Sequence, residues 1–580
     1  MIEFALVPNY LISAKNIYFI FSGGIFLIVS SFYIKRLSVG LLDIYILIFV
    51  CYVATNSILK SDQLTEFLIL FLTSSLSFLV IAQLFRHSYS GSKLKSVAIL
   101  TVIVSLSYQV IYGQLQLLGY LKSHHILFSI TGSFANPGPY AIFLVSALSY
   151  VMADLIFKNP GRYKWPLWIV LVLSIGVLPA TKSRSAWMAL TIAALFLFYS
   201  YFRKQSSPFA LVRKLKSIWK IGLPIIVSIL ISLGLYLLKP DSVSGRIYLW
   251  ERALKGSSEF RYTGLGYGNL EGRIALFQII EGKSEREYDK NQSGFVQYAF
   301  NDYLQIFLEN GIFGLLIFLL ILITLIKKGA KVSLHSRDPI LFGALGSLLS
   351  ILFSAFFSYP FEVIPIWVLF LFGVSLINGE IGDRDSYTIK SVTGINIFRA
   401  LICLLSFFVL YLNENIFRCK SLVAKADTYL MAGEVKQAIT LYKEAMDINP
   451  AMLDILPGYG KALFLDQRYA ESVTFLKKAS KKRMDPVVYC NLGDSYSRLG
   501  LYDEAEKCYR FSISLTPKKI YPRYLLAKMY FAKGDSANTI KEIKWVLNSP
   551  TIRFSPAESQ IRLELQSIAD EILRETSNGK

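Results

Sequence analysis

The sequence predicts an all-α protein: a polytopic membrane bundle of about twelve spans with one long outer loop, followed by a soluble α-solenoid. Three observations lead there. Of 580 residues, 54% are hydrophobic, 14% aromatic and only 17% charged, too apolar a balance for one soluble domain. The apolar residues gather in runs of roughly 18–25, long enough to cross about 30 Å of hydrocarbon as helices. From about residue 413 the chain turns polar, charged and internally repetitive.

The runs lie near 16–34, 40–59, 65–85, 96–118, 139–157, 165–181, 186–202, 219–238, 303–326, 339–358, 361–378 and 395–412. Met1–Ala14 has neither a basic start nor a small-residue cleavage site, so the first span is expected to target the chain. Basic residues mark alternate connections: Lys35/Arg36, Arg86/Lys93/Lys95, Lys158/Arg162/Lys164, Arg203 through Lys220, and Lys327/Lys328/Lys331/Arg337. The positive-inside rule puts these in the cytoplasm. The loop 239–303 then lies outside, with the segments around His124 and Arg184, and so does the region after the twelfth span. One miscounted span would reverse that last assignment.

A formal net charge of +21 invites a nucleic-acid reading. Lys and Arg cluster between apolar runs, however, where they set membrane orientation, and nucleic acid is not an expected partner. The five cysteines (Cys51, Cys403, Cys419, Cys490, Cys508) show no metal-type spacing and imply no disulfide framework.

The C-terminal region repeats. Ala426, Tyr429, Gly433, Ala438, Tyr442, Ala445 and Pro450 form a pattern that returns 67 residues later as Gly493, Tyr496, Gly500, Ala505, Tyr509, Ser512 and Pro517. A weaker copy lies between them (Gly460, Leu463, Ala479), and another follows (Ala527, Tyr530, Gly534). These are the small, aromatic and proline positions of a tetratricopeptide repeat, which this region resembles. Small residues let paired helices approach, and Tyr fills the gap between them. Residues 419–548 are expected to stack as three to four hairpins with a concave face for a protein partner, and 555–573 to form a capping helix. The division is therefore 1–412 membrane domain and 413–580 repeat domain.

Within the membrane domain, three outward-facing places carry chemistry. Arg184 lies in Thr181-Lys182-Ser183-Arg184-Ser185-Ala186-Trp187 at the outer end of the seventh span. Such an arginine is commonly a snorkelling anchor, but it also offers a planar fork of donors to a phosphate. Arg246, Trp250 and Ala253 follow near-helical spacing after Ser244-Gly245, which fits an amphipathic helix on the membrane surface. The run Gly264-Leu265-Gly266-Tyr267-Gly268 follows no strand and lacks the lysine of a nucleotide loop, so it reads as a tight turn. Asn301 and Asp302 precede the ninth span, and Glu309 lies one to two turns deeper, where an acid is costly unless paired or facing a wet cavity.

Together these segments resemble the O-antigen ligase and polymerase superfamily of bacterial membrane glycosyltransferases. Gly132-Ser133-Phe134-Ala135-Asn136-Pro137, Ser183-Arg184-Ser185-Ala186-Trp187, Ser244-Gly245-Arg246 with Trp250, Thr263-Gly264-Leu265-Gly266-Tyr267-Gly268, and Asn301-Asp302-Tyr303-Leu304-Gln305 through Glu309 and Gly311 follow the family's motif order over roughly 90–380. The resemblance implies transfer of a glycan from an undecaprenyl diphosphate carrier to an acceptor hydroxyl at the outer face of the inner membrane, with no metal or other cofactor needed. The acceptor is a lipid A core, a growing glycan or a protein. Arg184 and Arg246 match the arginines that hold the diphosphate, and Asn136, Trp250, Gly266, Gly268 and Asn301 fall in motifs that line the substrate site.

One position departs from the family. Many members carry histidine just before the Asn of the exit motif, as the proposed base; here it is Phe300. Asp302 and Glu309 are the nearest carboxylate candidates, and His124 and His125 on another outer loop are further ones. Two other readings stay open: a non-catalytic membrane-anchored repeat scaffold, and a flippase for lipid-linked sugars.

Overall fold

A computed structural model describes residues 11–60, 66–87, 91–125, 128–158, 164–204, 241–270, 298–380, 387–450, 452, 454–482, 484–550 and 556–578. The membrane domain contains α1 (Leu11–Ser31), α2 (Leu41–Lys60), α3 (Glu66–His87), α4 (Gly91–Leu117), α5 (Pro137–Phe157), α6 (Trp165–Thr181), α7 (Arg184–Lys204), α8 (Asp241–Gly256), α9 (Asp302–His335), α10 (Pro339–Ser354) and α11 (Ile364–Glu380). The helix α12 (Val392–Met431) leads into the repeats. Among the described residues, seven helices are long and apolar enough to cross a membrane, and four more are apolar but shorter. Each falls on an expected span. The expected span 219–238 and the loop interior 271–297 lie outside the described residues.

Local signals start these helices where the sequence changes. Asn136, Asn301, Asp338 and Ser391 each turn a side-chain oxygen onto a free amide of the first turn, and proline follows at Pro137 and Pro339, where no amide partner is needed. The centre of the bundle is α5, flanked by α7 and α10. Small residues make that packing close: a Cβ at Gly343 would lie 2.8 Å from the Tyr150 backbone, and one at Gly346 3.2 Å from Ser149. The outer helices show the reverse pattern. Leu404, Phe407 and Tyr411 on α12 and Val97 and Leu100 on α4 are exposed, as side chains facing hydrocarbon would be.

The two ends of the bundle are chemically distinct. At one end β1 (Leu37–Val39) pairs antiparallel with β2 (Tyr387–Ile389). Beneath it, buried Asp43 takes a 2.7 Å ion pair from Arg86 and a 2.7 Å hydrogen bond from Asn378, whose carbonyl accepts from Lys328 at 3.0 Å. This end carries the described members of the basic connections. Residues 241–270 pack at the opposite end, where Asn56 of α2 donates to Thr263 O at 2.7 Å.

The helix α12 joins the two domains without a break. It runs for 40 residues, about 60 Å, twice the hydrocarbon thickness. Arg399 donates to Ile34 O (2.7 Å) near the basic end, and Asn413 to Ile17 O (3.1 Å) near the other. Its C-terminal turns pair with α13 (Val435–Ile448), and α14 (Ile455–Leu465), α15 (Tyr469–Lys482), α16 (Pro486–Arg498), α17 (Tyr502–Leu515), α18 (Ile520–Lys533) and α19 (Ser536–Asn548) continue as hairpins. A last helix, α20 (Pro556–Asn578), buries Leu565 against Ala527, Ile543 and Val546. The repeat shows at atomic level. Tyr442 donates to Asp427, and 67 residues on Tyr509 donates to Asp494 at 2.6 Å. Each ring fills the space of a missing side chain, Tyr442 over Gly458 and Tyr509 over Gly493. The repeats thus leave the bundle at the end where residues 241–270 pack.

Candidate active site

The glycine run is built to hold a broken helix. In α9 the backbone at Gly311 leaves the helical region (φ 66°, ψ −171°), which frees carbonyls of the preceding turn. The run supplies their donors: Leu265 N to Leu308 O at 3.0 Å and Gly266 N to Glu309 O at 2.8 Å. Ile312 N, its helical partner lost, donates to Arg261 O at 2.8 Å. No side chain fits at the crossing, because a Cβ at Gly264 would sit 2.3 Å from the Glu309 carbonyl and one at Gly311 2.1 Å from Tyr262 O. The run is therefore a clasp, and the Gly266 amide is already engaged by protein. Gly268 (φ +77°) turns its amide toward the Glu309 carboxylate.

The helix α8 docks beside this clasp through Leu249 and Ala253, which are buried with Leu265, Leu270, Ala299 and Leu308. Trp250 donates its indole N–H to Ala299 O at 2.7 Å, fixing α8 against the exit motif. Arg246, one turn earlier, donates to Phe357 O and lies 5.3 Å from the centroid of Phe300. Burial pushes its pKa down, and the neighbouring charge of Arg184, the first residue of α7, pushes it further. Two guanidiniums from separate helices thus lie within electrostatic reach of one another. Among the described residues, Arg246 contacts a carbonyl and an aromatic ring, not a carboxylate.

The exit motif carries the acids. Phe300 takes a left-handed backbone (φ 53°), rare for a bulky side chain, and packs edge-on against Tyr359, which stacks on Tyr298 at 4.4 Å. Asn301 caps α9, accepting from Leu304 N at 3.1 Å. Asp302 is buried, and its carboxylate accepts from Phe361 N at 2.9 Å. Glu309 is buried too, with the Gln305 side chain turned to it. Gln305 also donates to Glu362 Oε1 at 2.7 Å.

The structure therefore gathers Arg184, Arg246, Trp250, Asn301, Asp302, Glu309, Gly266 and Gly268 at one end of the bundle. Asn136 caps α5, accepting from Gly138 N at 3.1 Å, a contact within its own turn. His124 stacks on Tyr112 and shares a 3.2 Å hydrogen bond with its hydroxyl, while His125 packs on Phe128. The reading of the sequence passed over the segment between α10 and α11, which supplies Phe357 O, Tyr359 and Glu362. Its signal was there: Ser358-Tyr359-Pro360-Phe361-Glu362 sets an acid and a proline between two apolar runs. Burial and the Asp302 charge raise the Tyr359 phenol to about 12, against the pull of Arg246. Among the described residues, no three His, Cys, Asp or Glu side chains are grouped to hold a metal.

Residues 169–319 match the family model described as O-antigen ligase, a stretch that includes both arginines, the clasp and the exit motif. Residues 486–519 match the tetratricopeptide repeat. The chain is 29% identical over 98 residues to tetratricopeptide repeat protein 21B of Mus musculus, covering 17% of this chain and 8% of that protein. It is 26% identical over 142 residues to the Homo sapiens protein of the same name, covering 23% and 11%. The chain spans about a tenth of the length of these curated relatives.

Proposed function

We propose that this O-antigen ligase-like core transfers a glycan from an undecaprenyl diphosphate carrier to an acceptor hydroxyl at the outer face of a bacterial inner membrane. The observation that carries the reading is that Arg184 and Arg246 lie within electrostatic reach of one another. Each is half-buried, and the charge of Arg184 disfavours the charge of Arg246, so an anion bound beside them is stabilised by both. A diphosphate supplies that anion, and its charge grows as the glycosidic bond breaks, so the pair stabilises the transition state more than the bound donor. The planar forks of arginine suit phosphate oxygens. At a membrane face of lowered dielectric the attraction exceeds its value in water.

The acceptor is a lipid A core, a growing glycan or a protein hydroxyl. We favour a protein, because α12 carries the repeats out at the end that holds the site, where a concave helical surface can present a peptide segment. In this reading the repeats are periplasmic.

The test compares a deletion strain, wild type, Arg184→Ala and Arg246→Ala, probing lipopolysaccharide ladders and glycoproteins together. Removing preorganised charge stabilisation costs on the order of 100- to 1000-fold in rate, so each variant is expected to match the deletion, and the glycan class that disappears names the acceptor. Variants that behave as wild type while the deletion shows a defect would leave the scaffold reading in its place. Lipid-linked glycan trapped inside the deletion strain would favour the flippase.

A further inference from the structure

Resting on that reading, we propose that Glu362 accepts the proton of the acceptor hydroxyl, with Asp302 and Glu309 behind it in one hydrated pocket. Phe300 occupies the position where a histidine was expected and cannot take a proton, so another group must.

The segment Ala355 to Val363 touches both halves of the site. Phe357 O holds the Arg246 guanidinium, Tyr359 packs on Phe300, Phe361 N caps Asp302, and Glu362 accepts from Gln305. Of the three neighbouring carboxylates, Asp302 and Glu309 are each 2% exposed, whereas Glu362 is only partly buried. Glu362 is therefore the most accessible of the three to an incoming hydroxyl. Where carboxylates share a pocket, the best hydrated one carries the charge.

A small cavity that Glu362 lines gives a second observation. It is lined on its polar side by Asp302, Gln305, Glu309, Asn310 and Glu362, and by Phe49, Phe71, Phe318 and Trp367 elsewhere. Its volume of ≈ 40 Å³ is room for water. Asn310 is 1% exposed, and among the described residues neither its side-chain oxygen nor its nitrogen has a hydrogen-bond partner. A buried amide with both ends unmet is costly, and polar contents in this cavity would remove the cost.

The step balances as follows. The hydroxyl proton passes to the Glu362 carboxylate as the hydroxyl oxygen bonds to the anomeric carbon. The anomeric carbon–oxygen bond to the diphosphate breaks, and its electron pair leaves on the diphosphate toward Arg184 and Arg246. Glu362 then returns the proton to water through the pocket.

Envelope membranes of the host, carrying their endogenous donor and acceptor, provide the assay. Transferred glycan and remaining lipid-linked donor are measured from pH 5 to 9 for wild type, Glu362→Gln, Glu362→Asp and Arg246→Ala at matched protein levels. Gln keeps an oxygen for Gln305 to donate to, so the turn is retained. Loss of a general base costs roughly 100- to 10,000-fold. We expect Glu362→Gln to fall at least about 100-fold, to lose the acid limb of the pH profile and to let donor accumulate, with Glu362→Asp recovering part of the rate and the limb. Asp302 and Glu309 from α9 and Tyr267 from the clasp face Glu362 electrostatically, and Gln305 donates to it. Glu309→Gln should therefore displace the limb without removing it. Transfer within a few-fold of wild type and an unchanged profile in Glu362→Gln, with Arg246→Ala inactive, would overturn the role of Glu362 alone. Wild-type transfer in Arg246→Ala would overturn the glycosyl-transfer reading itself. Should the Gln variant be missing from the membrane, Glu362→Ser takes its place with the same two outcomes.

Discussion

Phe300 and Asp494 show how one residue's surroundings decide its chemistry. Phe300 sits in a left-handed backbone at the mouth of the site, flanked by Arg246 and Tyr359, where its ring faces a cation instead of taking a proton. Asp494, in the repeats, is a carboxylate that burial lifts to about 6, although Tyr509, Arg498 and Lys528 pull it back down. Its proton is held more tightly in the folded than in the unfolded chain. The stabilisation is therefore complete below the ordinary carboxylate range and is lost as pH rises toward 6, by on the order of 3 kcal/mol. Asp494→Asn keeps an oxygen for Tyr509 but cannot titrate. In thermal melts of purified full-length protein in detergent, wild type should lose stability relative to Asp494→Asn between pH 4 and 6. Parallel curves would show that Asp494 is better hydrated than its burial indicates.

The element that organises the site is the clasp between the glycine run and the break in α9. Three backbone groups freed by the break find partners only if both chains pass within van der Waals contact, and glycine alone allows that. Gly264→Ala and Gly311→Ala each add a methyl group where a carbonyl already lies, at positive φ. Each should destabilise the folded protein by roughly 1–3 kcal/mol and lower transfer, because Glu309 and the exit motif shift with the clasp. Detergent-solubilised thermal shift reads this out; a midpoint equal to wild type for Gly311→Ala would show that the break closes without cost. The two-fold return of the Tyr–Asp bond in the repeats is a second element-scale device, and a small residue and a tyrosine at fixed spacing were enough to announce it.

For the whole molecule, the decisive feature is that α12 is at once the last apolar helix and the first helix of the solenoid. A helix cannot turn back without a break, so its direction carries the repeats to the end where α8 and the clasp lie. Single cysteines at Lys541 in the repeats, Glu251 on α8 and Lys331 at the basic end, all exposed positions, test this in intact cells. A membrane-impermeant maleimide should label the first two together and spare the third until the membrane is opened. Labelling of Glu251→Cys without Lys541→Cys would reverse the side of the repeats.

Much of this protein was legible in the chain. Apolar runs of membrane length fixed where its helices lie, because hydrocarbon leaves the backbone no other way to pair its amides. The repeat of small, aromatic and proline positions fixed the solenoid, and motif order marked Arg184, Arg246, Asp302 and Glu309 as candidates. Two things waited for the tertiary structure. That the two arginines come within electrostatic reach of one another depends on how α7 and α8 pack, which no local pattern encodes. That Glu362 and Tyr359 join them depends on a turn whose residues read as an ordinary connection until the cap on Asp302 and the bond to Gln305 bring it across the mouth of the site. Periodicity is a property of neighbours along the chain. A site made from five separate segments is a property of neighbours in space.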